Sequence, residues 1–430
     1  MKALERSRLV LTRLVARRDD QAGAPRLASG SPRESRGFEP GVSGQDASPS
    51  ETSGRVREPR IVQVDNVKSL LVAWIIACHA VLGYTAIGGW PYDEVAEVTL
   101  PPMQEFLLSV LLGPTALFVI GTFFFLAGLF APVELARHGV SGFLRTRVLR
   151  LGVPWVLFTV LVWPLFMWFA DRAAGHRLSY WQAFTGRTPF LDSGPLWFVE
   201  VLLYVSFGYA VWTWRGWGRR FQGITVRGVH VIVTAVMITA ATFLMRLIFP
   251  ARSQQVLDLH LWWWPQCIGM FCLGALVSGQ RWAERVPAGL ARRCAIAVAT
   301  TVVVVLPLLA VGAGVTNFSR DGEGFLGGWR PQALAFDLVE ATLVVAGSLC
   351  LLALAQHRLT SQAPVLAGSA RAAYAAFMLQ APVLLSLEIA GRSFDVPPLV
   401  KAVLVAMLAV AASFGLGWLL VRRTPLGKII

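Results

Sequence analysis

The stretch VDNVKSLLVAWIIACHAVLGY, residues 64–84, is apolar over most of its length and begins beside two charged residues, Asp65 and Lys68. An α-helix needs about 20 predominantly apolar residues to cross a bilayer. The stretch therefore predicts a membrane-spanning helix that carries one histidine, His79, well inside its apolar part.

Apolar stretches of similar length recur along the chain towards its C-terminus. Of the 430 residues, 55% are hydrophobic and only 15% are charged, which is too little charge for the surface of a soluble protein of this length. The sequence predicts an all-α polytopic membrane protein, a bundle of about ten transmembrane helices. The predicted spans are residues 67–84, 106–130 (with a kink at Pro114), 151–170, 196–214, 231–249, 261–277, 294–315, 333–354, 372–389 and 399–421.

The loop charges predict an orientation in which both termini are cytoplasmic. Loops rich in Lys and Arg remain on the cytoplasmic side of a membrane. The net charge is +14, and the first outer loop carries Asp93, Glu94 and Glu97 without a basic residue. The basic residues predicted to lie inside include Arg137, Arg145, Arg147, Arg150, Arg215, Arg227, Arg281, Arg285, Arg292, Arg293, Arg358, Arg371, Arg422 and Arg423. This distribution fits anionic lipid headgroups, and no motif for nucleic acid is present.

Two parts of the chain differ in composition. Residues 1–58 are rich in Arg, Ser, Gly, Pro and Glu and have no continuous apolar core, so they do not form a signal peptide. We predict a disordered basic cytoplasmic tail over 1–58 and a ten-helix membrane domain over 59–430.

Lys68 and His79 are expected on the same face of the first span. Eleven steps of about 100° bring two residues within roughly 20° of alignment, and their axial separation is about 16 Å. An ionisable group deep in a span is costly, roughly 2.5–3.5 kcal/mol on insertion scales, so His79 suggests a function. A packed histidine that hydrogen-bonds a neighbouring helix is an equally good reading of His79 alone. Lys68 by itself also fits an interfacial anchor, and Asp65 is placed to pair with it.

A second basic cluster lies in FLRTRVLRLGVP, residues 143–154. Arg147 and Arg150 are spaced i, i+3 on one helix face, with Arg145 adjacent. Guanidinium groups bind phosphate through paired hydrogen bonds, so these residues suit a polyphosphate ligand at the membrane surface. Contact with lipid headgroups is an equally good interpretation of the cluster alone.

Carboxylates also lie within predicted spans. Glu200, in GPLWFVEVLL at residues 194–203, is expected at about the depth of His79, where it could orient an imidazole. Asp337, Glu340 and Glu388 are weaker candidates. Each of these carboxylates also fits an ordinary hydrogen bond between helices.

In order and spacing these pieces resemble the acyltransferase 3 family of bacterial membrane O-acyltransferases, over about residues 60–425. Further matching pieces are FFFLAGLF (123–130), WWWPQCIGMFCLGAL (262–276) and YAAFMLQAPVLL (374–385). The resemblance assigns the family's essential histidine to His79 and its RxxR motif to Arg147 and Arg150. Three positions depart from the family pattern: Lys68 replaces a usual Arg, Ala127 a frequent Ser, and Gln380 a frequent His.

The resemblance implies an enzyme of the bacterial cytoplasmic membrane that moves an acyl group onto a hydroxyl of a glycan or secreted small molecule. Acyl-coenzyme A would be a co-substrate, with no permanently bound cofactor or metal. Its phosphates would be held by Lys68, Arg147, Arg150 and Arg145. His79 would act as general base helped by Glu200, or would carry the acyl group covalently, while Asp65, Trp197 and Gln380 would support the site.

Other classes of protein share some of these features. A transporter also has many spans with intramembrane charges, although no convincing internal repeat is present. A haem-binding cytochrome requires histidine pairs at matched depth, and no other histidine is predicted at the depth of His79. A structural membrane protein would leave the aligned cation and imidazole unexplained.

Overall fold

The computed structural model describes residues 61–86, 90–91, 99–218, 224–253, 255–315 and 321–424. The predicted tail at 1–58 and the acidic residues of the first outer loop lie outside these ranges.

The described residues form helices and connecting turns, without a strand. The helices in chain order are α1 (Val62–Leu82), α2 (Pro102–Arg147), α3 (Val153–Leu157), α4 (Trp163–Ala173), α5 (Tyr180–Thr185), α6 (Trp197–Trp214), α7 (Gly228–Ile248), α8 (Trp264–Val277), α9 (Ala288–Thr300), α10 (Leu306–Gly312), α11 (Pro331–Thr342), α12 (Ser348–Arg358), α13 (Pro364–Gly391) and α14 (Pro398–Arg423). A proline occupies the first position of α2, α11, α13 and α14, where its missing N–H removes no helical hydrogen bond.

Nine helical segments among the described residues are long and apolar enough to cross a membrane, which confirms the all-α polytopic fold. Eight of the predicted spans each coincide with one segment. The predicted spans 106–130 and 151–170 both fall in a single segment, Pro102–Ala173, which has 72 residues. At about 1.5 Å per residue this segment is long enough for two crossings.

That long segment is interrupted at Gly139. Its φ of 67° and ψ of 178° lie outside helical geometry, in a region that is open essentially only to glycine. Pro114 and Pro132 also lie inside this helix. The sequence predicted a kink at Pro114, whereas the non-helical backbone is at Gly139. Because the non-helical backbone lies at Gly139, the chain changes direction within α2, at this glycine.

Helix α1 is packed among other helices rather than standing at the edge of the bundle. It contacts α13 and α14 extensively and also contacts α12 and α2. Near its start, the Asn66 side chain donates hydrogen bonds to the carbonyl oxygens of Leu359, at 2.8 Å, and Ser361, at 3.1 Å. Farther along, Trp74 Nε1 donates to Thr115 Oγ1 at 2.8 Å. These contacts fix both the height and the rotation of the helix that carries Lys68 and His79.

Helices α2 and α8 approach each other closely through glycines. A Cβ atom at Gly128 would lie 2.0 Å from the carbonyl oxygen of Phe271, and one at Gly274 would lie 2.1 Å from that of Phe125. Small residues let helix backbones pack together in membranes, where helix association depends on close van der Waals contact. This contact holds the middle of α2 against α8.

Candidate functional site

His79 lies near the C-terminal end of α1 among side chains from distant parts of the sequence. Protein atoms surround its ring, yet the side chain keeps part of its surface accessible.

Gln380 on α13 orients the imidazole. The distance between His79 Nδ1 and Gln380 Oε1 is 3.1 Å. Because an amide oxygen can only accept a hydrogen bond, Nδ1 is the donor and carries the proton. The neutral ring therefore keeps its lone pair on Nε2, and a lone pair in that position is able to accept a proton.

Trp90 covers the same imidazole. Its ring stacks on that of His79 with centroids 4.7 Å apart and an interplanar angle of 16°. Trp90 Nε1 donates to Glu388 Oε2 at 3.0 Å, and Glu388 is fully buried on α13. Gly83 leaves room for this carboxylate, since a Cβ there would lie 2.7 Å from Glu388 Oε1. One helix, α13, thus holds His79 directly through Gln380 and indirectly through Glu388 and Trp90.

Lys68 lies three turns earlier on α1, at the end predicted to be cytoplasmic. Its ammonium group is 3.7 Å from the Asp65 carboxylate, and it lies 5.4 Å from the centroid of the Phe130 ring on α2. The ion pair with Asp65 is the one that the sequence predicted.

Arg147 reaches the same side of α2 as Lys68. Its Nη2 donates to Glu134 Oε2 at 2.8 Å, and its guanidinium lies 5.0 Å from the Phe143 ring. Phe130 and Glu134 are four residues apart on α2, so they are neighbours on one helix face. Lys68 and Arg147 therefore contact adjacent positions of the same face, at one end of the bundle. Arg145 and Arg150 are exposed beside them.

The contacts of Glu200 and Trp197 are with residues other than His79. Glu200 accepts a hydrogen bond from Tyr204 one turn farther along α6, at 2.8 Å, and Trp197 stacks on His260 with centroids 4.5 Å apart. Among the contacts of the described residues, none joins Glu200 to His79. The catalytic assistance by Glu200 therefore stays a prediction.

Two loops meet beside His260 at the predicted outer side. The Asp192 carboxylate accepts from Trp163 Nε1 at 2.7 Å and from the Gly194 amide at 2.6 Å, and it also hydrogen-bonds the side chain of Asp258. Burial, followed by the charge and hydrogen bond of Asp192 and the charge of Glu200, raises the pKa of Asp258 to about 8. Asp258 is therefore protonated at neutral pH, and one proton lies between two carboxyl groups.

The other carboxylates that the sequence singled out have structural partners. Asp337 and Glu340 on α11 both pair with Arg246 on α7; the pair with Glu340 spans 2.7 Å, and that with Asp337 is hydrogen-bonded. All three side chains are buried, so the cluster joins two helices across the core. Within the described ranges, no group of three or more His, Cys, Asp or Glu side chains is arranged to hold a metal ion.

Sequence reasoning missed Trp90 and Glu134 as parts of these clusters. Trp90 stands in a loop that has no periodicity, and Glu134 resembles any polar residue near the end of a span. Glu388 did carry a signal, because it is a carboxylate inside a predicted span.

Comparison with known proteins identifies the family. Searches of curated proteins and of solved structures found no match. The model of an acyltransferase domain family, acyltransferase 3, matches residues 61–422, which include every helix described above except the last residue of α14, Arg423. The chain therefore belongs to the acyltransferase 3 family and is a multi-pass membrane acyltransferase.

Proposed function

We propose that the protein transfers a short acyl group, such as acetyl, from acyl-coenzyme A at the cytoplasmic side to a hydroxyl group of a glycan or secreted small molecule. It would do so in a bacterial cytoplasmic membrane, with His79 as general base. The observation that carries this proposal is the oriented imidazole of His79, enclosed by protein and aligned on α1 with Lys68.

The basic end of the bundle supports a coenzyme A donor. Lys68 and Arg147 contact neighbouring positions of α2, and Arg145 and Arg150 are exposed next to them. In this proposal these cations bind the phosphates of the nucleotide. Lys68 and His79 are about 16 Å apart along the helix axis. In this proposal the extended pantetheine arm spans that distance and brings the thioester to the imidazole.

The chemistry uses the lone pair on His79 Nε2. The acceptor hydroxyl loses its proton to Nε2 as its oxygen forms a bond to the thioester carbon. The carbon–sulfur bond then breaks, and the proton passes from the imidazole to the departing thiolate of coenzyme A. In this scheme Gln380 and Trp90 keep the ring in one tautomer and one orientation, and Glu200 assists from the acceptor side.

The test is thioester consumption by purified protein in lipid nanodiscs, with acetyl-coenzyme A as donor and methyl glucoside as acceptor. Replacement of His79 by Ala should lower the release of free thiol by about 10²–10⁴-fold, the usual contribution of a general base. His357→Ala, which changes an exposed histidine at the end of α12, is the matched control and should retain wild-type turnover.

Full activity of His79→Ala would refute the role of this residue. Solute uptake without thioester consumption would favour a transporter. Retention of a labelled acetyl group on the protein when no acceptor is present would indicate an acyl-imidazole intermediate instead of direct transfer.

A further inference from the structure

A second imidazole, that of His260, lies at the predicted outer side with one ring nitrogen engaged. Its Nδ1 is 2.6 Å from the backbone carbonyl oxygen of Asp258, which can only accept a hydrogen bond, so Nδ1 carries the proton. No group in the described part of the chain hydrogen-bonds the other nitrogen, Nε2. The side chain keeps 22% of its surface accessible, so an incoming molecule can reach it.

The ring of His260 is neutral. Burial lowers its pKa, against the opposing effects of the hydrogen bond to the Asp258 backbone and of the charge of Asp192. Because the proton of the neutral ring is on Nδ1, Nε2 has a lone pair and accepts a hydrogen bond rather than donating one.

Aromatic rings surround this imidazole. Trp197 stacks on it with centroids 4.5 Å apart, and the ring of Trp262 lies 4.8 Å away at an angle of 56°. Both indoles are buried, whereas Trp263, whose ring is 6.1 Å from that of Trp197, is half-buried. Aromatic walls around a few polar groups are typical of small-molecule sites.

The polar groups beside His260 suit a ligand that donates hydrogen bonds. The Asp258 side chain lies 3.5 Å from His260 Nδ1, keeps 24% of its surface accessible and has lone pairs left beside its proton. The neighbouring Asp192 carboxylate is already engaged by protein donors. One cation, Arg187, stands beside it, and its Nη1 donates to backbone carbonyl oxygens. Hydroxyl groups fit such a surface better than a phosphate or a carboxylate does.

The backbone of this loop has an uncommon conformation. Leu257, Asp258 and His260 have φ values of 60°, 53° and 46°, in the left-handed region that residues other than glycine rarely adopt. The loop is held by a hydrogen bond of 2.7 Å from the Leu261 amide to Gln255 Oε1. Backbone strain of this kind is concentrated at functional sites, where the surrounding structure maintains it.

Aromatic contacts connect this loop to the surroundings of His79. Trp197 is followed in α6 by Phe198, whose ring contacts that of Phe377 on α13 with centroids 4.8 Å apart. Phe377 precedes Gln380 by three positions, about one helical turn, and Gln380 hydrogen-bonds His79. The residues around His260 are therefore one ring contact and one helical turn from the side chain that orients the base.

We propose that the outer cluster, defined as Asp258, His260 and Trp263 with the supporting rings of Trp197 and Trp262, binds the acceptor as an uncharged sugar ring. This inference rests on the proposed function and deepens it, because it names the acceptor class and the residues that hold it. A hydroxyl of the sugar donates to His260 Nε2, and the C–H face of the ring packs against Trp263. Trp197 and Trp262 keep the imidazole in place, and the hydroxyl to be acylated reaches His79 from the outer side.

Two replacements of His260 test its free lone pair. His260→Phe keeps a flat ring against Trp197 but removes Nε2, and His260→Gln restores an acceptor oxygen near that position. With acetyl-coenzyme A as donor, we expect Phe to raise the KM for methyl glucoside about 5–30-fold, the effect of one lost hydrogen bond. The kcat and the KM for acetyl-coenzyme A should stay within about twofold, and Gln should bring the KM for methyl glucoside back to within about threefold of wild type.

Two other acceptors separate sugar binding from the chemical step. The alcohol 2-propanol has a hydroxyl but no sugar ring, so its acylation should be the same in the wild type and in His260→Phe. Methyl glucuronide adds a carboxylate to the sugar, and its KM in the wild type should exceed that of methyl glucoside about tenfold or more, because the outer cluster offers acceptors and carboxyl groups.

His176→Phe is the matched control. His176 also lies at the predicted outer side and has a carboxylate neighbour, Asp171, at 3.6 Å, but its side chain is 59% exposed. This variant should keep the wild-type constants for both sugars.

The failure of this inference differs from the failure of the proposed function. A wild-type KM for methyl glucoside in His260→Phe, together with an inactive His79→Ala, would remove the acceptor site and leave the proposed function intact. An equal loss with 2-propanol would also contradict it, since the residue would then serve the chemistry or the fold. Equal KM values for the two sugars would rule out selection for an uncharged ring. Activity of His79→Ala would reject the proposed function itself.

A labelling experiment covers the case in which His260→Phe fails to fold. The wild-type protein in nanodiscs is irradiated with a diazirine derivative of methyl glucoside, without donor, and the labelled peptides are identified by mass spectrometry. Label on the peptides that contain Trp197 or His260, reduced by excess methyl glucoside, is expected. Label confined to other peptides would refute the site, and this result does not depend on turnover.

Discussion

Arg147 belongs to the basic cluster, and its guanidinium group already forms an ion pair with Glu134. Its hydrogen bond to Glu134 is 2.8 Å long, and Arg150, one turn later, is exposed. A phosphate group that binds to Arg147 must compete with this carboxylate or bind to the remaining guanidinium N–H groups. Because Glu134 and Phe130 are neighbours on α2, the carboxylate also lowers the positive potential near Lys68.

Glu134→Gln should therefore strengthen donor binding. We expect the KM for acetyl-coenzyme A to fall about 3–10-fold at low ionic strength, with little change in kcat, since a local repulsion between carboxylate and phosphate is removed. Glu284→Gln, in an exposed ion pair with Arg281, is the control and should leave the KM unchanged. A higher KM in Glu134→Gln would mean that this carboxylate holds Arg147 in its phosphate-binding orientation.

The contact between α2 and α8 depends on two glycines that face backbone atoms of the opposite helix. At Gly128 the nearest obstacle is the carbonyl oxygen of Phe271, and at Gly274 it is that of Phe125. A backbone carbonyl cannot move aside as a flexible side chain can, so even one methyl group must push the helices apart. The helix that carries Phe130, Glu134 and Arg147 would then shift relative to the core.

Gly128→Ala is expected to destabilise the protein by roughly 1–3 kcal/mol, the usual cost of overpacking. The measurement is thermal unfolding of the purified protein in detergent. Gly113→Ala lies on the same helix, α2, where an added Cβ meets no atom within 4 Å. This control should unfold at the wild-type temperature or slightly above it, because alanine favours helix more than glycine does. Equal unfolding temperatures for the two variants would show that α2 and α8 can separate at little cost.

The two loops that meet at Asp192 and Asp258 connect parts of the chain that are far apart in sequence. Asp192 precedes α6, and Asp258 follows α7. The hydrogen bond between their carboxyl groups requires a proton, and the pKa of Asp258 is raised to about 8, whereas an Asp in the unfolded chain titrates near 4. Between these two pH values the folded protein binds more protons than the unfolded chain.

The stability of the whole protein should therefore fall as pH rises through this range. The favourable effect of the protonated Asp258 is complete below about pH 4 and is lost as pH rises through about 8. We expect the unfolding temperature of the wild type in detergent to be lower at pH 8.5 than at pH 6, and Asp258→Asn, which keeps a hydrogen-bond donor without a charge, to reduce this difference. An identical pH dependence in the two proteins would exclude Asp258 as its source.

The membrane-spanning segments, the all-α class and the alignment of Lys68 with His79 followed from the sequence alone. Each depends on local physics: the length of an apolar run, the cost of a charge in hydrocarbon, or the rotation of about 100° per residue along one helix. Glu388 was recognised as a candidate for the same reason, although its role was not. The break at Gly139 escaped the sequence reading, because glycine permits such a conformation without requiring it.

Only the tertiary structure decided which side chains surround His79. Gln380 and Glu388 reach the site from α13, roughly 300 positions along the chain, and Trp90 reaches it from a loop. Glu200, expected at the same depth, hydrogen-bonds Tyr204 on its own helix instead. Depth in the membrane follows from sequence position, but the direction in which a helix faces depends on how all its neighbours pack against it. That packing is a property of the whole bundle, and no single segment of sequence contains it.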